Sequence, residues 1–261
     1  MGLLLSHKRK VRVWPDMFSV SGIANNESRG GGTRGEIEVF SAASRYRLFR
    51  LLHQLEFERV TFITLTYPAD FPEDIRKSKA HLKEWRRLFE VAYGKYRAVW
   101  RLEFQKRGAP HYHIMYLDIP FIPVEDLCWT WKRIVHSLDM AHEINGVDVK
   151  LISDRKQQRL IASYVGKYIA KVDERKQGKA VEYVGRWWGR WNIEEPKPLE
   201  FTLTDWEAIQ LVTIVLGSRL GGEKWQPIDP SVCSIFGSGM GSNLFGEFAR
   251  RYAIEHDRGS F

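Results

Sequence analysis

The sequence is poor in cysteine. Only Cys128 and Cys233 occur in 261 residues, and they form no Cys-x-x-Cys pair. That argues against a disulfide-stapled scaffold and a cysteine-built zinc site, and it fits a reducing compartment. Long apolar runs are missing as well. The stretch IQLVTIVLG at 209–217 falls far short of the roughly 18 apolar residues of a membrane-spanning helix. The opening MGLLLSHKRK has too short an apolar part for a signal peptide, and its charge follows that part. It does match the Met-Gly-x-x-x-Ser pattern for myristoylation. A cytoplasmic protein with no membrane partner is expected. No Gly-x-x-x-x-Gly-Lys phosphate loop occurs, so no nucleotide-driven motor is read in the chain. Acidic residues are outnumbered, with 32 Asp and Glu against 40 Lys and Arg, for a net charge of +8. A basic surplus favours a polyanionic partner, nucleic acid before membrane.

Periodicity divides the chain into three parts. Residues 1–40 read as an irregular basic segment containing the glycine-rich loop SRGGGTRG. Residues 41–195 carry the patterned elements. Ser41 is placed to cap an amphipathic helix ending near residue 55, and VTFITLTYP (60–68) is a β-branched strand closed by proline. Residues 72–94 form a long helix stopped by Gly94. AVWRLEFQ (98–105) and HYHIMYLD (111–118) alternate and are joined by KRGAP, which predicts a hairpin. A helix over 124–138, a strand over 147–153 and a helix over 155–172 follow. Residues 196–261 read as a helical extension, with a capped helix over 204–220, and a flexible tail. The order of strands and helices predicts an α+β fold, a central antiparallel sheet with helices on one face.

Two constellations carry chemistry. His111 and His113 are two apart on a strand, so both leave the same face. Pairing Gln105 with His111 puts Glu103 opposite His113, and both Glu103 and Gln105 then share the histidine face. Two imidazoles and a carboxylate with open positions suit Mg²⁺ or Mn²⁺, although ligand type alone also admits zinc. Tyr112, Ile114 and Tyr116 point the other way, into a helix-covered core. On the helix of SYVGKYIAK, residues Tyr164, Lys167, Tyr168 and Lys171 fall within an arc of roughly 100°. Such a stripe also suits tyrosines that merely border a core. Its chemical reading is stronger: a phenolate is a competent nucleophile toward a phosphodiester, and a neighbouring ammonium favours the phenolate.

These pieces, in this order, resemble the HUH endonucleases, the rolling-circle replication initiators of small phages and plasmids. TFITLTYP (61–68) resembles their first motif, EFQKRGAPHYHIMYL (103–117) their second and SYVGKYIAK (163–171) their third. The doubled tyrosine is similar to the A proteins of small isometric phages. VGRWWGRWN (184–192) is similar to a segment of filamentous-phage gene II replication proteins. The resemblance covers residues 41–195. It implies a ferredoxin-like, RRM-like palm with a five-stranded antiparallel sheet. It also implies metal-assisted nicking of single-stranded origin DNA through a 5′-phosphotyrosine, followed by rejoining of the strand.

Carried over by position, His111, His113 and Glu103 are metal ligands, with Gln105 competing for the third place. Tyr164 and Tyr168 are candidate nucleophiles, with use of Tyr164 alone as the alternative, and Lys167 and Lys171 are candidate phosphate or metal-site assistants. Thr64, Thr66, Arg101, Arg186, Trp187 and Arg190 are candidate DNA contacts; the alternative for the tryptophans is a hydrophobic plug. The separate helicase such an enzyme needs would come from the host. Rival readings are an HUH transposase or relaxase, and a non-catalytic module binding single-stranded nucleic acid. The oligomeric state is not legible in the sequence.

Overall fold

The computed structural model describes residues 8–14, 17–22, 40–152, 184–195, 197–204, 206–208 and 234–238. In chain order the elements are β1 (Lys8–Trp14), β2 (Met17–Gly22), α1 (Ala42–Gln54), β3 (Val60–Thr66), α2 (Ile75–Tyr93), β4 (Ala98–Phe104), β5 (Pro110–Leu117), α3 (Val124–Ile134), α4 (His142–Asn145), β6 (Val147–Ile152), β7 (Trp188–Trp191), β8 (Leu199–Thr204) and β9 (Ser234–Ser238). They fall into two compact units. One comprises Thr33–Phe49 and Phe57–Glu194, and the other Met1–Gly32, Arg50–Glu56 and Glu195–Phe261. Among the described residues, no helix is long and apolar enough to cross a membrane.

The first unit is the α+β palm. Its five-stranded sheet has the order β6-β3-β5-β4-β7, and every neighbouring pair is antiparallel. The helix face follows from alternation along β5, where Tyr112, Ile114 and Tyr116 are all buried. Helix α2 covers that face with Ile75, Ser78, Leu82, Trp85 and Phe89, spaced at helical intervals. Phe89 stacks on Tyr116 at 4.2 Å, and Trp85 meets Trp131 of α3 edge-on at 6.1 Å. The buried phenols are satisfied. Tyr112 Oη lies 2.6 Å from Ser78 Oγ, and Trp85 Nε1 donates to Tyr116 Oη at 3.2 Å. Burial pushes both phenols well above the usual tyrosine range. Asp74 caps α2 through Arg76 N, and Gly94, at φ 100°, ends it.

Edge strand β7 closes the sheet beside β4. Gly189 sits there because the Trp100 indole passes directly beneath it; a Cβ at that position would come within 2.7 Å of the ring. Lys79 of α2 clasps the same strand's approach by donating to the Arg186 carbonyl, with its ammonium 4.7 Å from the Trp100 ring centroid. Burial first, then the Arg186 charge, pulls the Lys79 pKa down to about 8.

The second unit holds a four-stranded antiparallel sheet of order β8-β1-β2-β9. Its first two strands correct the reading of residues 1–40 as irregular. In KRKVRVW, Lys10 and Arg12 alternate with Val11 and Val13, and Val11, Val13, Phe18 and Val20 are buried. The run is short and strongly charged, which masked its period of two. The tail behaves similarly. In LEFTLT the apolar members Leu199, Phe201 and Leu203 alternate with polar ones, making β8, and SIFGS makes β9. The expected cap at Thr204 is present. Thr204 N donates to Glu207 Oε2 at 2.8 Å and Glu207 N donates back to Thr204 Oγ1 at 3.3 Å, a capping box.

Candidate metal and nucleic-acid site

The face of the palm sheet opposite α2 carries the histidines. The β4–β5 hairpin closes through Gln105 N to Ala109 O at 2.9 Å and Gly108 N to Gln105 O at 2.8 Å, with Gly108 at φ 84°. This tight three-residue loop, with glycine in the left-handed position, sets the register. Glu103 is the Cα partner of His111, and Arg101 that of His113. The expected pairing, Gln105 with His111 and Glu103 with His113, is therefore corrected by a slip of two residues. Because side chains alternate with a period of two, such a slip leaves Glu103 on the histidine face. Gln105 falls outside β4, and its Oε1 accepts from Arg107 Nε at 2.9 Å.

Strand β3 completes the patch. Thr64 is the Cα partner of His113 and Thr66 that of His111. Thr64 Oγ1 lies 3.3 Å from His113 Nδ1, and Thr66 Oγ1 lies 3.3 Å from His111 Nδ1. The His113 Nε2 is 3.2 Å from Glu103 Oε2, and the two imidazole centroids are 4.6 Å apart. Glu103 and Arg101 are buried, while the histidines are half-buried.

By chemical type, two imidazoles and a carboxylate suit a divalent ion. A threonine hydroxyl both donates and accepts, so each Nδ1 can be held in either tautomer. With His113 Nε2–H donating to the carboxylate, Thr64 donates to Nδ1. With the Nε2 lone pair given to a cation, Nδ1–H donates to Thr64, the outer-shell arrangement common to ligating histidines. Among the described residues, no three His, Cys, Asp or Glu side chains are gathered closely enough to hold an ion as they stand.

The corner beyond β3 is held by residues that sequence reasoning missed. The Thr66 carbonyl accepts from Trp131 Nε1 and from His142 Nε2, both at 2.7 Å, and Thr66 N donates to Gly146 O at 2.9 Å. Arg107 donates to the carbonyls of Tyr67 and Pro68, each at 2.6 Å. Tyr67 Oη lies 2.9 Å from His81 Nδ1, and burial raises the Tyr67 phenol. These contacts span from 14 to 76 residues of sequence, so no local pattern announces them. Asp148, Cα partner of Thr64 on β6, adds an exposed carboxylate position to the same face. It was also missed.

The remaining candidates divide. Arg101 and Arg190 belong to the histidine face, Arg190 as the exposed Cα partner of Val99. The Arg101 guanidinium lies 5.1 Å from the Phe40 ring centroid. Arg186 is exposed. Trp187 is buried, stacked on Phe40 at 6.3 Å and edge-on to Phe104 at 5.7 Å. That position fits the hydrophobic plug and keeps its ring from stacking on a base. Trp188 Nε1 donates to Ser44 Oγ at 3.0 Å, fastening the start of α1 to β7. Tyr164, Lys167, Tyr168 and Lys171 lie outside the described residues.

Residues 60–173 match the family model described as replication-associated protein ORF2/G2P. The match spans β3 to β6 and runs on through the tyrosine motif, and it is consistent with a rolling-circle replication initiator of the HUH type. No curated protein and no solved structure matches the chain. The family supports a replication-initiator role for the palm, and β8 and β9 lie outside the matched residues.

Proposed function

We propose that the chain initiates rolling-circle replication by nicking single-stranded DNA at its replicon's origin, with Tyr164 and Tyr168 as nucleophiles. The phenolate oxygen attacks the scissile phosphorus. A tyrosine Oη–P bond forms, the P–O3′ bond breaks, and the departing 3′ oxygen takes up a proton in place of the one the phenol lost. The 5′ phosphate stays on the tyrosine until a 3′-hydroxyl attacks it in the reverse sense and rejoins the strand. Free tyrosine titrates near pH ~10. Lys167 and Lys171 favour the phenolate and the charge developing on the phosphate. Glu103, His111 and His113 would hold Mg²⁺ or Mn²⁺, which when bound polarises the scissile phosphate. Thr64, Thr66, Arg101, Arg186 and Arg190 contact the strand, and unwinding falls to a separate helicase.

The observation that carries this reading is the gathering of Glu103, His111 and His113 at one end of one sheet face, inside the stretch that matches the replication-associated family. The test mixes purified protein with single-stranded origin DNA and Mn²⁺ and looks for a covalent adduct on a denaturing gel. Adducts from Tyr164→Phe and from Tyr168→Phe, but none from the double variant or from His111→Ala, are expected. Tight binding of verified origin DNA with no adduct from the wild type would sink the nickase and leave a binding module.

A further inference from the structure

One face of the four-stranded sheet of the second unit is largely apolar, and the other carries a row of cations. Val11, Val13, Phe18, Val20, Phe201 and Leu203 fill the apolar side, each buried. The other parity of central strand β1 is Lys8, Lys10, Arg12 and the buried Trp14, so three cations follow one another at about 7 Å along the strand. Their Cα partners on β8 are Thr204, Thr202 and Glu200. Ser19, opposite Arg12 on β2, is buried, and the exposed part of the described face lies over β1 and β8. There Lys8 and Thr202 are exposed, and the side chains of Lys10, Arg12 and Glu200 keep 39%, 35% and 39% of their surface.

Within this patch Glu200 is the counter-charge. Its two carboxylate oxygens take Lys10 Nζ and Arg12 Nε, each at 2.6 Å. An exposed pair of this kind adds little stability, about 0–1 kcal/mol. Its consequence is electrostatic: one carboxylate aligns two cations side by side and leaves Lys8 outside the pairing. The row keeps a positive surplus, three cations against one anion, beside the exposed hydroxyl of Thr202. Phosphate is the partner such a row complements, since cations spaced along a strand can meet successive phosphates without reading sequence.

We propose that the Lys8–Lys10–Arg12 face of the second unit is an auxiliary DNA-backbone surface, which holds origin DNA independently of the histidine site and is tempered by Glu200. This rests on the reading of the chain as an origin-binding initiator. It assigns a role to a sheet whose strands all lie outside the matched family stretch.

The test measures equilibrium binding of the full chain to a labelled single-stranded origin oligonucleotide and to the same sequence as a duplex, across a salt series. Replacing all three cations, K8Q/K10Q/R12Q, should weaken binding about tenfold at moderate salt. It should also lower the salt slope by about 2 on single-stranded DNA or nearly 3 on duplex; the larger change identifies the bound form. Glu200→Gln should do the reverse and tighten binding several-fold. It keeps the question open to refutation if the triple variant fails to fold.

Unchanged affinity and slope in a folded triple variant, or unchanged or weaker binding from Glu200→Gln, overturns the proposal. So does loss of capture by phosphatidylserine vesicles in the triple variant while its DNA binding stays at the wild-type level. Failure of the nickase reading looks different. There the wild type binds DNA but forms no adduct, and the triple variant still binds less.

Discussion

Glu103 Oε2 lies 3.2 Å from His113 Nε2, although the Cα partner of Glu103 across the hairpin is His111. The carboxylate reaches diagonally along the strand pair, a distance within reach of long side chains on one sheet face. His113 is therefore gripped at both nitrogens, by Glu103 on one side and Thr64 on the other. A ring so held would lose little freedom on binding an ion.

That grip sets the first expectation. Thr64→Val removes the hydroxyl that orients His113 and should raise the Mn²⁺ concentration needed for half-maximal nicking by about 10- to 100-fold, with maximal cleavage largely recovered at saturating metal. Glu103→Gln should lose cleavage that added Mn²⁺ does not restore. Metal titrations of adduct formation check both. Equal metal dependence in wild type and Thr64→Val would refute the outer-shell role.

Arg107 ties the hairpin loop to the corner after β3 through the Tyr67 and Pro68 carbonyls. Lysine cannot reproduce two divergent donors. Arg107→Lys should slow adduct formation by about tenfold or more through misplacement of the Thr66–Pro68 corner. Its thermal midpoint should stay near that of the wild type, because the side chain is exposed. Single-turnover rates and a melting curve separate the two effects.

Gly189 faces the Trp100 indole at a distance that no Cβ tolerates. Gly189→Ala should cost about 1–3 kcal/mol by overpacking, read by urea denaturation. A wild-type midpoint would show that β7 shifts freely over β4.

The pH dependence of stability isolates Lys79, whose pKa falls to about 8 in the folded chain against roughly 10.4 when unfolded. Between these values the unfolded state binds the extra proton, so stability rises with pH across that window and the contribution is lost as pH falls through about 8. The slope approaches one proton, about 1.4 kcal/mol per pH unit, and Lys79→Met should remove it. Above the ordinary tyrosine pKa the sign reverses. Tyr67, Tyr112 and Tyr116 are all raised by burial, so the unfolded state gives up protons first and stability falls.

Much of the palm was legible because its signals are local. Alternation in AVWRLEFQ and HYHIMYLD, with a glycine between them, specifies a hairpin whatever surrounds it, and α2 declares itself by the spacing of Leu82, Trp85 and Phe89. The face shared by Glu103, His111 and His113 followed from parity alone and survived a two-residue error in register. The hairpin of residues 8–22 was missed because its apolar positions are few among cations, and an alternating charged strand looks like a basic tail until a sheet buries one side.

Which residues alternate, where the chain must turn and that a carboxylate shares a face with two imidazoles could be read from the order of residues, since these depend on chain geometry over a few positions. Long-range packing was needed to bring Glu103 diagonally to His113, to draw Gln105 off to Arg107, to bury Trp187 and to converge Trp131 and His142 on one carbonyl of Thr66. Those outcomes depend on which distant strands and helices meet. That is settled by the burial of whole faces, a quantity no short stretch of sequence contains.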